Sequence, residues 1–181
     1  MPAPIAIIDF ETTGSTPTQG ARATEVAIVL VEGGQVVDQF QSLMNAGVRI
    51  PPFITQLTGI TNAMVADAPP AAEVMAQARR FVGDTPLVAH NAPFDRGFWQ
   101  AELARANCDA PQPFACTVRL ARRLYPEAPN HQLGTLARFH QLPSAGRAHR
   151  ARADAQVTAA LLLRMQQDLR ERWGVAAPDF G

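Results

Sequence analysis

Apolar residues in the first 44 positions of the chain form three runs that predict β-strands. The runs are 4–11 (PIAIIDFE), 23–34 (ATEVAIVLVEGG) and 35–44 (QVVDQFQSLM). Gly33 and Gly34 supply the two-residue turn that is typical of a hairpin between the second and third strands. The domain is therefore expected to begin with antiparallel strands.

Helical periodicity dominates the chain after an irregular stretch that follows the third strand. In 70–83 the apolar residues recur at helical spacing, and Gly83 is placed to end that helix. A short buried strand, 85–91 (TPLVAHN), comes next. A strand hairpin followed by helices and a buried strand predicts an α/β domain with a mixed sheet. Further helices are predicted at about 94–107, 117–124, 132–140 and 151–172.

Two acids, Asp9 and Glu11, stand at the carboxyl end of the first apolar run. Successive residues of a strand face opposite sides of the sheet, so these two carboxylates project to the same side. Like charges placed together cost free energy unless a proton or a cation neutralises them. The pair therefore indicates a cation site or, in the simpler alternative, a strand that ends in solvent.

A third acid, Asp95, follows the short buried strand. Asn91 is a suitable residue to cap a helix there, and Pro93 fits in a first helical turn. Asp95 is thus predicted to lie at the start of a helix, where an acid commonly complements the helix dipole. From this segment alone, the dipole explanation is favoured over a functional one.

A fourth acid, Asp154, lies in the long last helix. It is placed at the amino-terminal end of an apolar stripe that includes Leu161 and Met165, and a carboxylate on the core side of a helix is unusual. His149 is five positions earlier, about 140° around a continuous helix. The two side chains can share a face only if the helix begins between them, which the nearby Gly146 favours. The sequence therefore predicts that Asp154 has a partner.

Composition is ordinary for a globular protein. With 181 residues, of which 47% are hydrophobic and 18% charged, the chain is expected to form one domain over 1–181, with a core at about 4–172. Neither a signal peptide nor a run of about 18 apolar residues is present, which predicts a cytoplasmic protein without a membrane span. Cys108 and Cys116 fit neither a zinc nor a C-x-x-C pattern and are expected to be reduced.

The formal net charge is zero, but its distribution along the chain is uneven. Residues 1–115 contain 6 Arg and 11 acids, whereas residues 116–181 contain 10 Arg and 5 acids. The planar guanidinium group of arginine binds phosphate bidentately, so the basic part suits a nucleic-acid partner. Taken alone, 119–123 (RLARR) and 146–152 (GRAHRAR) are more often solvated helix faces than nucleic-acid sites.

Three segments, 9–14 (DFETTG), 90–95 (HNAPFD) and 149–154 (HRARAD), resemble the three motifs of the DEDD superfamily of 3′-to-5′ exonucleases. The last segment has the His-x4-Asp pattern of one branch, whereas the other branch has Tyr-x3-Asp. The intervening 56–61 (QLTGIT) and 116–126 (CTVRLARRLYP) agree as well, so the resemblance spans nearly the entire chain. It is strongest to the proofreading epsilon subunits of bacterial DNA polymerase III and their free-standing relatives.

The resemblance implies a ribonuclease-H-like fold, with a mixed five-stranded sheet flanked by helices. It also implies that Asp9, Glu11, Asp95 and Asp154 hold two divalent cations, Mg²⁺ or Mn²⁺, roughly 3.5–4 Å apart. His149 would then be the general base that takes a proton from the attacking water. The implied activity is hydrolysis of phosphodiesters from the 3′ end of single-stranded or frayed DNA, which releases nucleoside monophosphates in proofreading or repair.

Four further residues occupy positions that contact the terminal nucleotide in similar proteins. They are Thr12, Thr13, Leu57 and Phe94. A polar turn explains either threonine equally well, and a core role explains Phe94 at least equally well. His90 is interpreted as structural, and His131 and His140 have no motif support.

Other functions are weighed against the exonuclease hypothesis. RNA 3′-end trimming, or degradation of very short RNAs, would use the same site. A catalytically dead module that binds nucleic acid or a polymerase is disfavoured, because all four acids and His149 are present. A dinucleotide-dependent dehydrogenase is excluded, since no G-x-G-x-x-G follows a predicted strand.

A DNA polymerase is a candidate partner only through the resemblance. Residues 166–173 (QQDLRERW) contain no more than a fragment of a sliding-clamp peptide, and they fit the helix equally well. The segment 173–181 after the last helix is short, so a free-standing enzyme and the catalytic domain of a longer one are both compatible with it.

Overall fold

The computed structural model describes residues 3–175. Its five strands are β1 (Ile5–Thr12), β2 (Ala23–Glu32), β3 (Gln35–Leu43), β4 (Leu87–Ala89) and β5 (Phe114–Cys116). They form one sheet in the order β3-β2-β1-β4-β5. The first three strands pair antiparallel, whereas β4 pairs in parallel with both β1 and β5, so the sheet is mixed as expected.

The predicted hairpin joins β2 to β3. Gly33 and Gly34 form its turn, and both have positive φ, 58° and 80°. A two-residue turn that matches the twist of the strands needs positive φ, which glycine adopts without a steric penalty. The prediction of antiparallel strands at the start of the chain is confirmed.

Seven α-helices are found within residues 3–175. α5 has the bounds predicted from the sequence, and α3, α4, α6 and α7 differ from their predictions by two residues or less at each end. The helices are α1 (Pro52–Thr58), α2 (Asn62–Ala66), α3 (Ala71–Val82), α4 (Ala92–Arg105), α5 (Thr117–Leu124), α6 (Leu133–Phe139) and α7 (Ala151–Trp173).

The prediction of an irregular stretch after β3 is wrong, since α1 and α2 lie there. α1 begins after Pro51 and ends after seven residues at Gly59, whose φ is 76°. α2 has five residues and starts at Thr61, whose side chain accepts a hydrogen bond from the Met64 amide. Pro51, Pro52 and Gly59 bound α1, and residues of these types favour a loop interpretation of the sequence.

The two faces of the sheet pack against different helices. Ile8 and Phe10 of β1 pack with α3 and α4 on one face. Ile5 and Ile7 alternate to the other face, where small residues of α7, such as Ala155, let the helix approach closely. Because side chains alternate along a strand, Asp9 and Glu11 also face α7. This packing decides which helix contributes to the site.

Three other expectations from the sequence concern membrane spans, the bounds of the domain and the two cysteines. Every helix within residues 3–175 is too short or too polar to span a lipid bilayer. The single domain over 1–181 stays a prediction, because residues 1–2 and 176–181, most of the segment after α7, lie outside the described residues. Cys108 and Cys116 are free, half-buried thiols, as expected.

Candidate active site

Three acids converge at the carboxyl end of β1. Asp9 and Glu11 face α7, and Asp154 lies in the first turn of α7. Each residue offers one carboxylate oxygen, and these oxygens all lie within 4.8 Å of one another. We call these three residues the acid cluster. Oxygen donors at this separation suit a hard divalent cation.

The loop before α7 brings His149 to the acid cluster. α7 begins at Ala151, so the helix starts between His149 and Asp154 as predicted. The His149 amide donates to Asp154 Oδ2 at 3.0 Å, which ties the loop to the helix. The backbone of His149 is left-handed, with φ of 58°, an uncommon conformation for a residue with a Cβ.

Asp95 reaches the site from the first turn of α4. Its side chain is 2% exposed, and Oδ1 accepts a hydrogen bond from the Phe10 amide of β1 at 3.0 Å. Asp95 is not one of the three acids whose oxygens meet within 4.8 Å. Its charge nevertheless acts on Asp9, which places it beside the cluster. Asp95 thus does more than complement a helix dipole, since it joins α4 to β1.

The predicted cap of α4 is correct in position and wrong in mechanism. Asn91 stands directly before the helix, but its backbone is left-handed, with φ of 69°, and its side chain makes no capping hydrogen bond. A capping side chain reaches the first amides from an extended backbone, which Asn91 does not have. The Phe94 amide donates instead to the Asn91 carbonyl at 3.0 Å.

Burial and mutual repulsion disfavour the ionised forms of these acids. Burial, followed by the charges of Asp95, Glu11 and Asp154, raises the pKa of Asp9 well above its usual value. Burial and neighbouring carboxylates raise the pKa of Glu11 to about 8. Burial raises the pKa of Asp95 to about 8, although the hydrogen bond from Phe10 opposes the shift. A bound cation would displace the protons that these groups retain.

The acid cluster fits a divalent metal ion on a further observation. The buried Oδ2 of Asp9 has no hydrogen-bond partner within residues 3–175. A buried polar atom without a partner is costly, and native structures contain few of them. An unsatisfied oxygen beside two other carboxylates therefore suits a metal ligand better than a structural acid.

A cavity of about 320 Å³ opens over the acid cluster, and we call it the cluster cavity. Phe53, Leu57 and Phe94 give it apolar walls, and His149 also lines it. Phe53 and Leu57 are 66% and 47% exposed, whereas Phe94 is half-buried against Phe98 at 5.0 Å between ring centroids. Exposed aromatic and aliphatic walls suit a nucleobase, which stacks on such surfaces whatever its identity.

Phe53 was not identified from the sequence. It precedes Leu57 by four residues on α1, so both side chains share one helix face. That spacing is visible in the sequence, but it becomes informative only once the segment is known to be helical.

The two threonines after Glu11 have different surroundings. Thr12 lines the cluster cavity, and its hydroxyl donates to the Gly14 carbonyl at 2.7 Å. Thr13 is not among the residues that line this cavity, and its Oγ1 accepts a hydrogen bond from the Arg22 amide at 3.0 Å. The structure therefore brings Thr12, together with Leu57 and Phe94, to the site and places Thr13 in the adjoining turn.

A further acid, Glu25, was also not identified from the sequence. It lies opposite Glu11 in the register of β1 and β2, and its side chain is fully buried. Arg150, the residue after His149, forms an ion pair with it at 2.9 Å. The available signal was an acid within the otherwise apolar run of β2.

A larger cavity, of about 1100 Å³, also borders His149 and Asp154. Arg122 of α5 and Arg138 of α6 line this basic cavity, and neither forms an ion pair within residues 3–175. His90 lines it as well, with Nδ1 2.8 Å from the Thr117 hydroxyl and Nε2 2.9 Å from the His131 carbonyl. Both ring nitrogens of His90 are thus occupied, in agreement with its structural interpretation.

Comparison with known families shows where this site belongs. The family RNase_T, described as Exonuclease, matches residues 6–162, a range that contains the acid cluster, Asp95 and His149. The chain belongs to this exonuclease family. Membership confirms the predicted DEDD-type exonuclease with a ribonuclease-H-like fold, and the assignment to the His-x4-Asp branch stays a prediction.

Individual proteins show the same relationship. The chain is 36% identical to the 3′-5′ exonuclease DinG of Bacillus subtilis over 166 residues, 91% of this chain and 18% of DinG. It is 38% identical to the PolC-type DNA polymerase III of Bacillus subtilis over 172 residues, 92% of this chain and 12% of that protein. The structure of Exonuclease X in complex with 5′ overhanging duplex DNA matches with a TM-score of 0.76 and 33% identity. That match covers 96% of this chain and 95% of the Exonuclease X chain in that structure.

The relatives differ in how much of their length this chain covers. It spans less than a fifth of the two Bacillus proteins and nearly all of the Exonuclease X chain in the solved structure. The shared part is therefore an exonuclease domain that occurs both as the bulk of a chain and as a segment of larger ones.

Proposed function

We propose that this protein is a metal-dependent exonuclease that releases nucleoside monophosphates from the 3′ end of single-stranded or frayed DNA. The observation that carries the proposal is the convergence of Asp9, Glu11 and Asp154 within 4.8 Å, in a cavity that His149 also lines. Unpaired buried acids destabilise a metal-free fold, so their presence favours catalysis over a role in binding alone.

Asp9, Glu11, Asp95 and Asp154 would together hold two Mg²⁺ or Mn²⁺ ions. When bound, such ions lower the pKa of a water molecule and stabilise charge on the departing 3′ oxygen. The donors are all carboxylate oxygens, which select these hard cations over zinc. The hydrogen bond from the Phe10 amide would keep Asp95 oriented beside the strand that carries Asp9 and Glu11.

His149 would accept the proton of the attacking water. Its amide is engaged by Asp154, whereas its side chain is exposed in the cluster cavity and has no hydrogen-bond partner within residues 3–175. A ring nitrogen of a neutral imidazole can accept a proton, as a general base must. A positioned acid–base group typically accelerates a reaction by about 10²- to 10⁴-fold.

The two cavities would hold different parts of the substrate strand. The terminal base would lie against Phe53, Leu57 and Phe94 in the cluster cavity, with Thr12 at its edge. Thr13 would act through the turn that it stabilises, since its side chain bonds Arg22. The preceding phosphates would follow the basic cavity, whose arginines suit phosphate oxygens.

DNA is the proposed substrate because of two relatives that match most of this chain. The Exonuclease X structure contains DNA, and the PolC-type protein is a DNA polymerase. The second relationship supports proofreading or repair and a DNA polymerase as partner. A cytoplasmic location, expected from the sequence, is part of the proposal. RNA trimming is the alternative, because the same acids and base would serve it.

A side-by-side digestion tests this proposal. One preparation is given 5′-labelled single-stranded DNA, duplex DNA with a mismatched 3′ end, single-stranded RNA and circular single-stranded DNA. We expect stepwise shortening of linear DNA from its 3′ end, intact circles, and no turnover in excess EDTA. A preparation of Asp154→Asn controls for contaminating nucleases.

Each substrate decides a different part of the proposal. Faster digestion of RNA would favour the alternative substrate. Cutting of circles would identify an endonuclease, and full activity after dialysis against EDTA would rule out the metal-dependent mechanism.

The role of the basic cavity is tested by substrate length. Arg122→Gln should weaken binding of 20-nucleotide DNA and lower its salt slope by about 1, because one phosphate contact is lost. Turnover of dinucleotides should be unchanged. Arg80→Gln on α3, which is exposed and lines neither cavity, is the control. Equal effects on long and short substrates would show that Arg122 does not act by binding the phosphates that only the longer substrate has.

A further inference from the structure

Glu25 is fully buried and yet accepts four hydrogen bonds. Arg150 donates from Nε to Oε2 at 3.0 Å and from Nη2 to Oε1 at 2.9 Å. The Ala151 amide donates to Oε2 at 3.2 Å, and the side chain of Gln41 donates to Oε1 at 2.7 Å. The bidentate geometry fixes the guanidinium plane of Arg150 relative to β2.

Arg150 is covalently joined to His149 and immediately precedes the first residue of α7. Residues 146–149 are exposed, so the sheet and helices restrain this end of the loop little through packing. His149 is nevertheless held in a left-handed conformation with φ of 58°. Three contacts hold this segment: Arg147 Nη2 donates to the Gln56 carbonyl at 3.4 Å, the His149 amide donates to Asp154, and Arg150 pairs with Glu25 directly after His149.

On the basis of the exonuclease function proposed above, we infer that the Glu25–Arg150 pair is a positioning device for His149. The pair holds the backbone that follows His149 against β2, at the residue opposite Glu11. It thereby keeps the imidazole at a constant distance from the acid cluster. Glu25 and Arg150 are positioning residues, because they act on the reaction through His149.

The simpler alternative is that the pair only stabilises the fold. A second pair in the molecule shows what that alternative predicts. Arg22 donates from Nε and Nη2 to Glu102, each at 2.9 Å, and the Ala23 amide donates to the same carboxylate at 3.0 Å. The geometry is nearly the same, but Arg22 is not adjacent in sequence to any of the proposed catalytic residues. Arg22 is therefore a matched control.

The experiment measures single-turnover rates with saturating DNA and Mg²⁺ for Arg150→Gln in the wild-type and His149→Ala backgrounds. In the wild-type background we expect a loss of about 10- to 100-fold, because a displacement of about 1 Å can cost that much. In the His149→Ala background the same change should cost less than about twofold, since no base remains to be displaced. DNA affinity and Mn²⁺ affinity should stay close to wild type.

The other variants separate positioning from stability. Glu25→Gln, which keeps an acceptor for Arg150, should lose less activity than Arg150→Gln, and Arg150→Lys should be intermediate. Arg22→Gln should lower the melting temperature and change the rate by the same factor in both backgrounds. An equal loss for Arg150→Gln in both backgrounds would overturn the inference, as would a matching loss of Mn²⁺ affinity.

Hydrogen exchange gives a readout that does not depend on activity. The His149 amide, bonded to Asp154, should exchange faster in Arg150→Gln and at the wild-type rate in Arg22→Gln. Unchanged exchange in Arg150→Gln would overturn the inference even in an active enzyme. If the wild-type protein degrades no nucleic acid, the proposed function fails, and exchange still decides whether the pair holds the loop.

Discussion

Glu25 and Glu102 each accept two hydrogen bonds from one arginine and a third from a backbone amide, whereas Asp9 and Glu11 form no ion pair within residues 3–175. Glu102 lies on α4, whereas Glu25 lies on β2, the strand next to the one that carries Asp9 and Glu11. Glu11 and Glu25 are even direct neighbours across β1 and β2. Location in the fold therefore does not explain why their surroundings differ.

The difference shows that a counter-charge, more than burial, separates structural acids from the candidate site. A buried carboxylate that receives an arginine has its charge compensated within the protein. A carboxylate without one is left with desolvation and repulsion, which raise the pKa of Asp9 and Glu11. The acid cluster thus lacks a positively charged partner, which a bound cation would supply. Such uncompensated acids are common at functional sites.

Asp9→Asn should produce the largest effect. The change removes one donor from the acid cluster, and we expect turnover to fall beyond about 10⁴-fold, since metal ions supply several kcal/mol of transition-state stabilisation. In EDTA the variant should melt at a higher temperature than wild type, because burial and neighbouring carboxylates disfavour ionisation of Asp9 in the folded state, whereas asparagine is neutral in both states. Single-turnover rates and thermal melts measure both.

Asp84→Asn, at a side chain that is 94% exposed, is the control and should change neither quantity. An Asp9→Asn variant that retains substantial turnover would show that Asp9 is not a metal ligand. The absence of an arginine partner would then not distinguish catalytic acids from structural ones such as Glu25.

His149→Ala should lower the rate by about 10²- to 10⁴-fold and leave the acids in place. Binding of Mn²⁺ and of DNA should therefore stay near wild type, in contrast to Asp9→Asn. Titrations with Mn²⁺ and with labelled DNA, alongside single-turnover rates, make this comparison. Lost DNA affinity with an unchanged rate at saturation would make His149 a substrate contact instead of a base.

Metal-free protein should become less stable as the pH rises from about 4.5 to 8. In this window the unfolded chain releases protons that folded Glu11 and Asp95 retain, because burial raises the pKa of each to about 8. The folded state binds more protons, so the free energy of unfolding falls with rising pH. The melting temperature should fall with it, by about 2–4 °C for each kcal/mol lost in a domain of this size.

Thermal melts in EDTA across this pH range, compared between wild type and Glu11→Gln, isolate the contribution of the cluster. Glu11→Gln should flatten the pH dependence, and saturating Mg²⁺ should abolish it in wild type. If the melting temperatures of the two proteins changed equally with pH, the charge of Glu11 would be balanced within the protein, as that of Glu25 is by Arg150. The contrast between the two acids would then be wrong.

Phe53→Ala should have the smallest effect, because it concerns a wall of the cluster cavity and none of the acids. We expect KM to rise by about 3- to 10-fold with kcat within about twofold, since stacking on one exposed ring contributes about 1 kcal/mol. Val48→Ala, at an exposed apolar residue outside this cavity, is the control. A fall in kcat at unchanged KM would assign Phe53 to the chemical step.

Local patterns predicted much of the fold. The hairpin, α3 and α5 were each identified correctly, because apolar spacing and glycines act within a few residues. α1, α2 and β5 were not recognised from their residues, although β4 and α6, which are equally short, were. Prolines and a glycine flank α1, and such residues favour a loop interpretation. Phe53 was missed for the same reason, and Glu25 because nothing nearby in sequence reveals Arg150 as its partner.

The sequence by itself determined that Asp9 and Glu11 share one side of β1, since that follows from the period of a strand. It also indicated that the last helix begins between His149 and Asp154, because the two side chains can share a face only in that case and Gly146 favours it. Only the tertiary structure decided that α7 covers this side of the sheet, that Asp95 bonds the Phe10 amide, and that Arg150 pairs with Glu25. The reason is physical: these contacts join residues 85 to 125 or more positions apart, and their partners are selected by packing, which local periodicity does not encode.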